Sequence, residues 1–216
     1  MSARPEVETG WVSDELRDEF PELQLRHLAV AARPGRTPRE VKDRLRTMSN
    51  RFTGARAVGL RQEPVPWAYR VFFRQVGIDP DQHRTPVEAA ALERMRAGGF
   101  ASRNLLDDAL LIAVVETGVH IVAFDADRVQ GAPGLRLSEA AEALGGPGGR
   151  PLSDRQVLVA DEARPLGVLF GAMAEGVGVH PETERMLLVT VQVKGVSDLE
   201  VEEALWTVVE VLRAAG

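Results

Sequence analysis

The stretch NLLDDALLIAVVETGVHIVAFDAD, residues 104–127, contains the longest apolar run of the chain. Two apolar segments, Leu110–Val115 and Val119–Phe124, are joined by Glu116-Thr117-Gly118. Short apolar segments bounded by turn residues are typical of buried strands, or of a buried helix that leads into a strand. We therefore predict a short helix or strand, a tight turn and then a core strand in this stretch.

The composition is that of a folded globular domain. The chain has 216 residues, of which 44% are hydrophobic and 27% are charged, and these fractions are ordinary for globular proteins. It contains no cysteine, which excludes disulfides, thiolate metal sites and a cysteine nucleophile. No apolar run approaches the ~20 residues of a membrane span, and the polar start shows no signal-peptide pattern. We expect a cytoplasmic location and no membrane partner.

Helix start signals occur at three places. Thr37-Pro38-Arg39-Glu40, Thr85-Pro86-Val87-Glu88 and Ser197-Asp198-Leu199-Glu200 each combine a hydroxyl residue with a glutamate three positions later. This spacing is typical of a capping box, in which the two side chains satisfy the free N–H groups of the first turn. The sequence predicts helices with Thr37, Thr85 and Ser197 as N-caps.

The remaining elements mix strands and helices without a regular alternation. A further helix is predicted at Trp67–Val76, with Pro64-Val65-Pro66 as a connector before it. We predict strands at Leu23–Ala32, Gln156–Ala160, Leu166–Phe170 and Met186–Val193. An irregular order of this kind favours an α+β fold over a doubly wound one. We divide the chain into an N-terminal appendage helix (residues 1–22) and a single domain (residues 23–216).

The charge of the chain is unevenly distributed. Arg33–Arg74 holds eleven arginine or lysine residues and three acidic ones, a charge of 11 − 3 = +8 in a chain whose net charge is −6. A basic segment in an acidic chain indicates a surface for polyanions such as RNA, and an exposed helix face in contact with solvent is the alternative. The residues predicted to bind tRNA are Arg39, Lys42, Arg46 and Arg51. We expect no DNA partner.

Few residue patterns indicate catalysis or a cofactor. The glycines of Gly171–Gly178 lack the lysine and hydroxyl residue of a phosphate loop, so they favour a turn. The histidines lack the spacing of a zinc site, and we expect no metal and no cofactor. His120 is interpreted as either a hydrogen-bonded core histidine or a catalytic one. Asp107-Asp108 is either a carboxylate pair or a helix cap or salt bridge.

The order of four features resembles the editing domain of the phenylalanyl-tRNA synthetase beta subunit, the B3/B4 domain, and its freestanding relatives. The resemblance covers roughly Val65–Leu212. The last feature is the C-terminal helix, and the first three are YRVFFRQVGIDPDQHRTPVEAAALERM, RNLLDDALLIAVVETGVHIVAFDADRVQGAPGLRL and QVLVADEARPLGVLFGAMAEGVGVHPETERMLLVTVQV. The resemblance implies an α+β, mixed sheet-and-helix, editing-domain-like fold.

The family's editing site removes tyrosine that is mischarged on phenylalanine tRNA. The resemblance places its polar residues at positions where this chain has other side chains. Leu111 takes the place of an asparagine, Val122 that of a histidine, and Val189 that of the glutamate that recognises tyrosine. The resemblance thus implies a mainly apolar substrate pocket whose predicted residues are Asn104, Asp108, Leu111, His120, Val122, Gly171, Met173, Ala174, Val189 and Thr190.

Three functions follow from this resemblance. The first is a protein that binds tRNA and hydrolyses mischarged aminoacyl-tRNA in trans, as an aminoacyl-tRNA deacylase. The second is a non-catalytic module that binds an amino acid or a similar small molecule. The third is an editing pocket repurposed for another amino-acid-derived substrate. The residues alone leave open which of the three applies.

Overall fold

A computed structural model describes residues 5–145 and 148–214. The helices are α1 (Asp14–Glu19), α2 (Arg39–Arg51), α3 (Gly54–Gly59), α4 (Pro64–Gln75), α5 (Pro86–Ala97), α6 (Leu105–Thr117) and α7 (Asp198–Arg213), with single 3₁₀ turns at Leu60–Gln62 and Ala126–Arg128. The strands are β1 (Glu8–Thr9), β2 (Trp11–Val12), β3 (Gln24–Ala31), β4 (Ile121–Asp125), β5 (Gly134–Leu137), β6 (Ala143–Leu144), β7 (Arg150–Pro151), β8 (Val157–Ala160), β9 (Pro165–Val168) and β10 (Arg185–Gln192).

Two four-stranded sheets form the β structure. The central sheet is antiparallel, with the order β1-β3-β10-β4. The second sheet has the order β2-β5-β8-β9, and only its β2–β5 pair is parallel. Strands β6 and β7 pair separately as a short ladder. The prediction of an α+β fold is confirmed.

The central sheet lies between a layer of helices and the second sheet. Helices α6 and α7 pack against each other, and they also pack on β4, β10 and β3. The opposite face of the central sheet carries Leu25, Val189 and Val122, and it is directed towards the second sheet. Buried residues of α6, β4, β10 and α7 belong to one hydrophobic core.

The stretch at residues 104–127 forms one helix, a turn and one strand. Helix α6 has 13 residues, which is longer than the short element predicted from its apolar pattern. Asn104 caps its start by accepting a hydrogen bond from the N–H of Asp107. Gly118 ends it with a φ of 78°, a left-handed conformation that favours glycine. Strand β4 follows, as predicted.

Two of the predicted capping boxes are present and one is not. The boxes at Thr85 and Ser197 open α5 and α7 as predicted. The prediction for Thr37 is wrong, because α2 is capped by Pro38 without a side-chain hydrogen bond. The hydroxyl of Thr37 instead donates to the Asp108 carboxylate at 2.6 Å, so a tertiary contact replaces the local cap.

The predicted connector at Pro64-Val65-Pro66 is also wrong, because these residues form the first turn of α4. Proline fits this turn, since the first N–H groups of a helix have no partner within it. The predicted boundary at residue 22 stays a prediction. Short strands before that boundary pair with β3 and with β5. Residues 1–4 of the predicted appendage and residues 215–216 of the predicted domain lie outside the described residues.

Candidate functional site

An apolar pocket lies between the central sheet and the turn that follows β9. Its cavity volume is about 40 Å³, enough for a small group, since a water molecule needs roughly 10–15 Å³ on this measure. We call it the apolar pocket, and its lining residues are His120, Val122, Phe124, Val159, Gly167, Val168, Leu169, Phe170, Gly171, Ala172, Met173, Val189, Thr190 and Val191.

Strand register places two valines side by side in this pocket. Val189 of β10 is paired directly with Val122 of β4. Directly opposed residues of an antiparallel pair project from the same face of the sheet, so both side chains are directed towards the second sheet. A register shift of one residue would turn them towards the helices. These are the two positions at which the family resemblance implies a glutamate and a histidine.

His120 precedes β4 and is the ionisable side chain among the residues that line the apolar pocket. Burial lowers its pKa to about 4, so the imidazole is neutral at neutral pH. Its ring lies 5.8 Å from the Phe170 ring, centroid to centroid. Its carbonyl accepts a hydrogen bond from the Thr190 hydroxyl at 2.7 Å. That hydroxyl is therefore already engaged with the backbone at the pocket edge.

Phe170 is held in a conformation that few bulky residues adopt. Its φ is 57°, in the left-handed region, where a large side chain costs about 1–3 kcal/mol. Its ring packs against three phenyl or phenol rings of α4, Tyr69, Phe72 and Phe73, at centroid distances of 5.9, 6.4 and 4.6 Å. These contacts offset the backbone strain and fix the wall of the pocket. Phe170 was not among the predicted site residues, because its neighbours in sequence carry no signal of positive φ at that position.

The loop that contains Phe170 is closed by its own backbone. The N–H of Gly171 donates to the Val168 carbonyl at 2.9 Å, and the N–H of Val168 donates to the Ala172 carbonyl at 2.8 Å. A Cβ at position 171 would lie 3.0 Å from the Val168 side chain. Glycine at 171 therefore permits the close approach of this turn to β9.

The structure brings together six of the ten residues predicted for the substrate pocket. The residues that line the apolar pocket are His120, Val122, Gly171, Met173, Val189 and Thr190. Ala174 is buried in the hydrophobic core beside this turn. Binding of a substrate by any of these residues stays a prediction.

Asn104, Asp108 and Leu111 lie elsewhere, in the first two turns of α6. The helix of 13 residues is about 20 Å long at 1.5 Å per residue, and His120 follows its far end. Asp108 is 1% exposed, and its carboxylate accepts hydrogen bonds from the Thr37 hydroxyl, the Ser102 hydroxyl and the Arg103 N–H. These three bonds occupy the carboxylate. Leu111 and Asp108 border a different cavity, of about 90 Å³.

The four residues predicted to bind tRNA are exposed side chains of α2. Asp43 lies within 3.7 Å of Arg39 and 2.6 Å of Arg46. Helix α2 packs on α6, in the helical layer, so the central sheet separates it from the apolar pocket. Whether tRNA contacts α2 stays a prediction.

A second histidine lies beside a carboxylate at the other end of β4. His180 Nε2 lies 2.9 Å from Asp125 Oδ2, and the Thr183 hydroxyl donates to the same oxygen at 2.9 Å. Burial alone would raise the pKa of Asp125, but hydrogen bonds from the Asp127 N–H and Thr183, together with His180, lower it. Because its pKa is lowered, the Asp125 carboxylate is a weak base for the Thr183 hydroxyl. The hydrogen bonds of this cluster attach the loop at residues 180–183 to β4.

Neither a metal centre nor a membrane span is found in the part of the chain that the structure describes. No group of three or more His, Asp or Glu side chains within residues 5–145 and 148–214 has a metal-binding arrangement. No helix in those ranges is both long enough and apolar enough to cross a bilayer.

Comparison with known proteins agrees with the resemblance drawn from the motifs. The chain is 38% identical over 94 residues to the phenylalanine–tRNA ligase beta subunit of Xanthomonas oryzae pv. oryzae (strain MAFF 311018), an alignment that covers 43% of this chain and 12% of that protein. It is 32% identical over 110 residues to the corresponding subunit of Streptomyces avermitilis, covering 50% of this chain and 12% of that protein. The chain thus spans about an eighth of the length of these curated relatives.

Among solved structures, an N-terminal fragment of the phenylalanyl-tRNA synthetase beta subunit from Pyrococcus horikoshii aligns with 98% of this chain and 51% of that one. The sequence identity is 14% and the TM-score is 0.42. The family model described as the B3/4 domain matches residues 68–203. That match includes most of α4, the turn at Phe170 and both strands that carry the pocket valines, and the chain belongs to the B3/4 domain family.

Proposed function

We propose that this chain binds the aminoacyl end of tRNA and hydrolyses, in trans, the ester of a small apolar amino acid. The observation that carries the proposal is the apolar pocket, which lies within the segment matched by the family. The relatives named as phenylalanine–tRNA ligase beta subunits support tRNA as the class of partner.

The chemistry of the pocket favours an aliphatic side chain over tyrosine. Val122 and Val189 offer no hydrogen bond to a phenolic hydroxyl. A buried hydroxyl without a partner costs roughly 1–3 kcal/mol, which corresponds to a preference of about fivefold to 150-fold for a side chain without the hydroxyl. A cavity of about 40 Å³ also favours a short side chain.

The proposed reaction is attack by water on the carbonyl carbon of the ester. The bond to the ribose oxygen breaks, the amino acid leaves as a carboxylic acid, and the ribose regains its hydroxyl. His120 is neutral at neutral pH because burial lowers its pKa to about 4. We assign it the role of accepting a hydrogen bond from the attacking water and orienting it, since so weak a base removes a proton poorly.

A second candidate is a module that binds a free amino acid without catalysis. The observation that favours it is the scarcity of ionisable groups in the apolar pocket, where His120 stands without a carboxylate partner among the residues that line it. In that case the pocket would hold the side chain, and no ester would be cleaved.

Deacylation of tRNAs charged with alanine, valine, phenylalanine and tyrosine tests the proposal. We expect the wild type to hydrolyse the alanyl and valyl esters fastest. Val122→Phe fills the pocket and should lower these rates about tenfold or more. Val58→Phe is the control, because Val58 is 78% exposed and lies outside the pocket.

Three outcomes separate the candidates. Hydrolysis that is lost in Val122→Phe and kept in Val58→Phe supports the deacylase. Inactivity towards all four esters, together with calorimetric binding of free valine that Val122→Phe abolishes, supports the binding module. Absence of both activities in the wild type would reject both functions for this pocket.

A further inference from the structure

A larger groove lies on the other side of the turn that walls the apolar pocket. Its cavity volume is about 530 Å³, within the range of roughly 300–1,000 Å³ typical of small-molecule sites. Three segments form it: the loop between α4 and α5, residues 150–156, and residues 168–172. We call it the basic groove. It shares residues 168–172 with the apolar pocket.

Two arginines line the basic groove without a counter-ion. Arg84 comes from the loop before α5 and Arg150 from β7, and both side chains are exposed. Within residues 5–145 and 148–214, neither guanidinium forms an ion pair or a side-chain hydrogen bond. Asp79, the one carboxylate on the groove wall, accepts a hydrogen bond from the N–H of Asp81 at 2.9 Å. Two guanidinium groups against one carboxylate leave the groove with a net positive charge.

The inner wall of the basic groove is apolar. Phe170, Ile78 and Leu152 line it and are partly exposed. Phe73, which is 2% exposed, packs behind the Phe170 ring at a centroid distance of 4.6 Å. Aromatic and aliphatic surfaces next to free arginines suit a ligand that combines a flat ring with an anion, because the ring packs on the wall while guanidinium groups bind phosphate in a forked geometry. Inorganic phosphate alone would use the charge and leave most of the volume empty.

We propose that the basic groove binds a phosphorylated nucleoside, with Arg84 and Arg150 holding the phosphate and the apolar wall at Phe170 holding the base. The ligand has two sources, a free mononucleotide or the end of an RNA strand. For the RNA end the inference rests on the proposed function, since a terminal nucleotide in the groove would place its ester-linked amino acid across the shared wall, at the apolar pocket.

Isothermal titration calorimetry of the whole chain tests this proposal with four probes: AMP, adenosine, inorganic phosphate and a four-nucleotide RNA. The variants are Arg84→Ala, Arg150→Ala and the double variant. The matched control is Arg96→Ala, an exposed arginine near the opposite end of α5, which does not line the groove. Circular dichroism checks that each variant is folded, and exposed positions such as these tolerate truncation.

We expect AMP to bind more tightly than adenosine or phosphate. Each single variant should weaken AMP about tenfold, the typical value of one charge-assisted hydrogen bond, and the double variant should weaken it further. Arg96→Ala should bind AMP like the wild type. AMP affinity should fall as salt is raised from low to physiological ionic strength. Tighter binding of the RNA than of AMP would identify the strand end as the source, and equal binding would identify the free mononucleotide.

Two results would overturn the proposal. One is wild-type affinity for AMP and for the RNA in the double variant, and the other is no binding of any probe by the wild type. These results are distinct from failure of the proposed function. If AMP binds through the arginines while no ester is hydrolysed, nucleotide binding by the basic groove is supported and the deacylase function is contradicted. If the double variant hydrolyses esters at the wild-type rate, the deacylase is supported and the RNA end is rejected as the ligand of the basic groove, whose binding of AMP is decided by the calorimetry.

Discussion

At the scale of single residues, His120 in the apolar pocket makes the stability of the folded protein depend on pH in acid. Burial lowers its pKa from 6.5 to about 4, and burial also lowers the pKa of His27 in β3. A histidine whose folded pKa lies below its unfolded value binds more protons when unfolded, at any pH between the two values. Acidification through that window therefore favours unfolding.

We predict that His120→Gln flattens the loss of stability between pH 6.5 and pH 4.5. Each pKa unit is worth about 1.4 kcal/mol, and solvent in the pocket screens part of it. The wild type should lose about 2 kcal/mol more than the variant across this range, by urea unfolding at a series of pH values. His83→Gln, at an exposed loop residue, is the control and should behave like the wild type. If the free energy of unfolding varied with pH in the same way for the wild type and His120→Gln, the lowered pKa of His120 would be contradicted.

At the scale of elements, α7 is attached to the sheet by one apolar face. Its capping box at Ser197 fixes where it begins, and Val201, Leu205 and Val208 are fully buried. Apolar residues spaced three and four apart form one face of a helix, and this face packs on α6, β10 and β3. The helix therefore depends on tertiary packing for its stability.

Leu205→Ala should lower the free energy of unfolding by about 2–5 kcal/mol, because it leaves a cavity in a rigid core. Leu205 is 0% exposed, whereas Leu199 in the same helix is 69% exposed. Leu199→Ala is therefore the control, with an expected loss within about 0.5 kcal/mol. Urea unfolding measures both, and equal losses for the two variants would show that α7 is peripheral.

Helix α2 is the element on which the predicted tRNA contact depends. Changing Arg39, Lys42 and Arg46 to glutamate should weaken binding of total tRNA in a filter assay, since phosphate contacts dominate such affinity. Thermal stability should change little, because exposed charges contribute little to it. The control changes Arg96, Arg128 and Arg213 to glutamate, which alters the net charge equally at scattered exposed sites. If both triple variants bind tRNA equally well, the basic side chains of α2 make no specific contact with tRNA.

At the scale of the whole molecule, Gly10 joins the two sheets. It lies between β1 of the central sheet and β2 of the second sheet, and its N–H donates to the Leu25 carbonyl at 2.8 Å. A Cβ at this position would lie 2.2 Å from the Pro133 carbonyl oxygen. That oxygen belongs to the backbone before β5 and cannot move without shifting the second sheet.

Gly10→Ala should therefore destabilise the protein by about 1–3 kcal/mol, the usual cost of overpacking. Gly35→Ala is the matched control, since a Cβ there meets nothing within 4 Å, and it should be neutral or slightly stabilising. Thermal unfolding of both variants is the measurement. A Gly10→Ala protein as stable as the control would mean that the N-terminal strands do not bind tightly to both sheets.

The sequence by itself determined the elements that short-range signals encode. The capping boxes at Thr85 and Ser197 and the strand at β10 were predicted from patterns of neighbouring residues. Motif order also predicted the family. Such signals are local, because a cap or an amphipathic face is defined by neighbours in the chain.

Only the tertiary structure decided which predicted residues share a site. Asn104 and His120 lie 16 positions apart in one apolar stretch, yet α6 holds them at opposite ends of a helix. Val122 and Val189 are distant in sequence and adjacent across two strands. The Thr37 hydroxyl donates to Asp108 and does not cap its own helix. Packing of the Phe170 ring against rings of α4 stabilises its strained backbone. Strand register and packing between distant segments set these contacts, and no pattern of near neighbours encodes them.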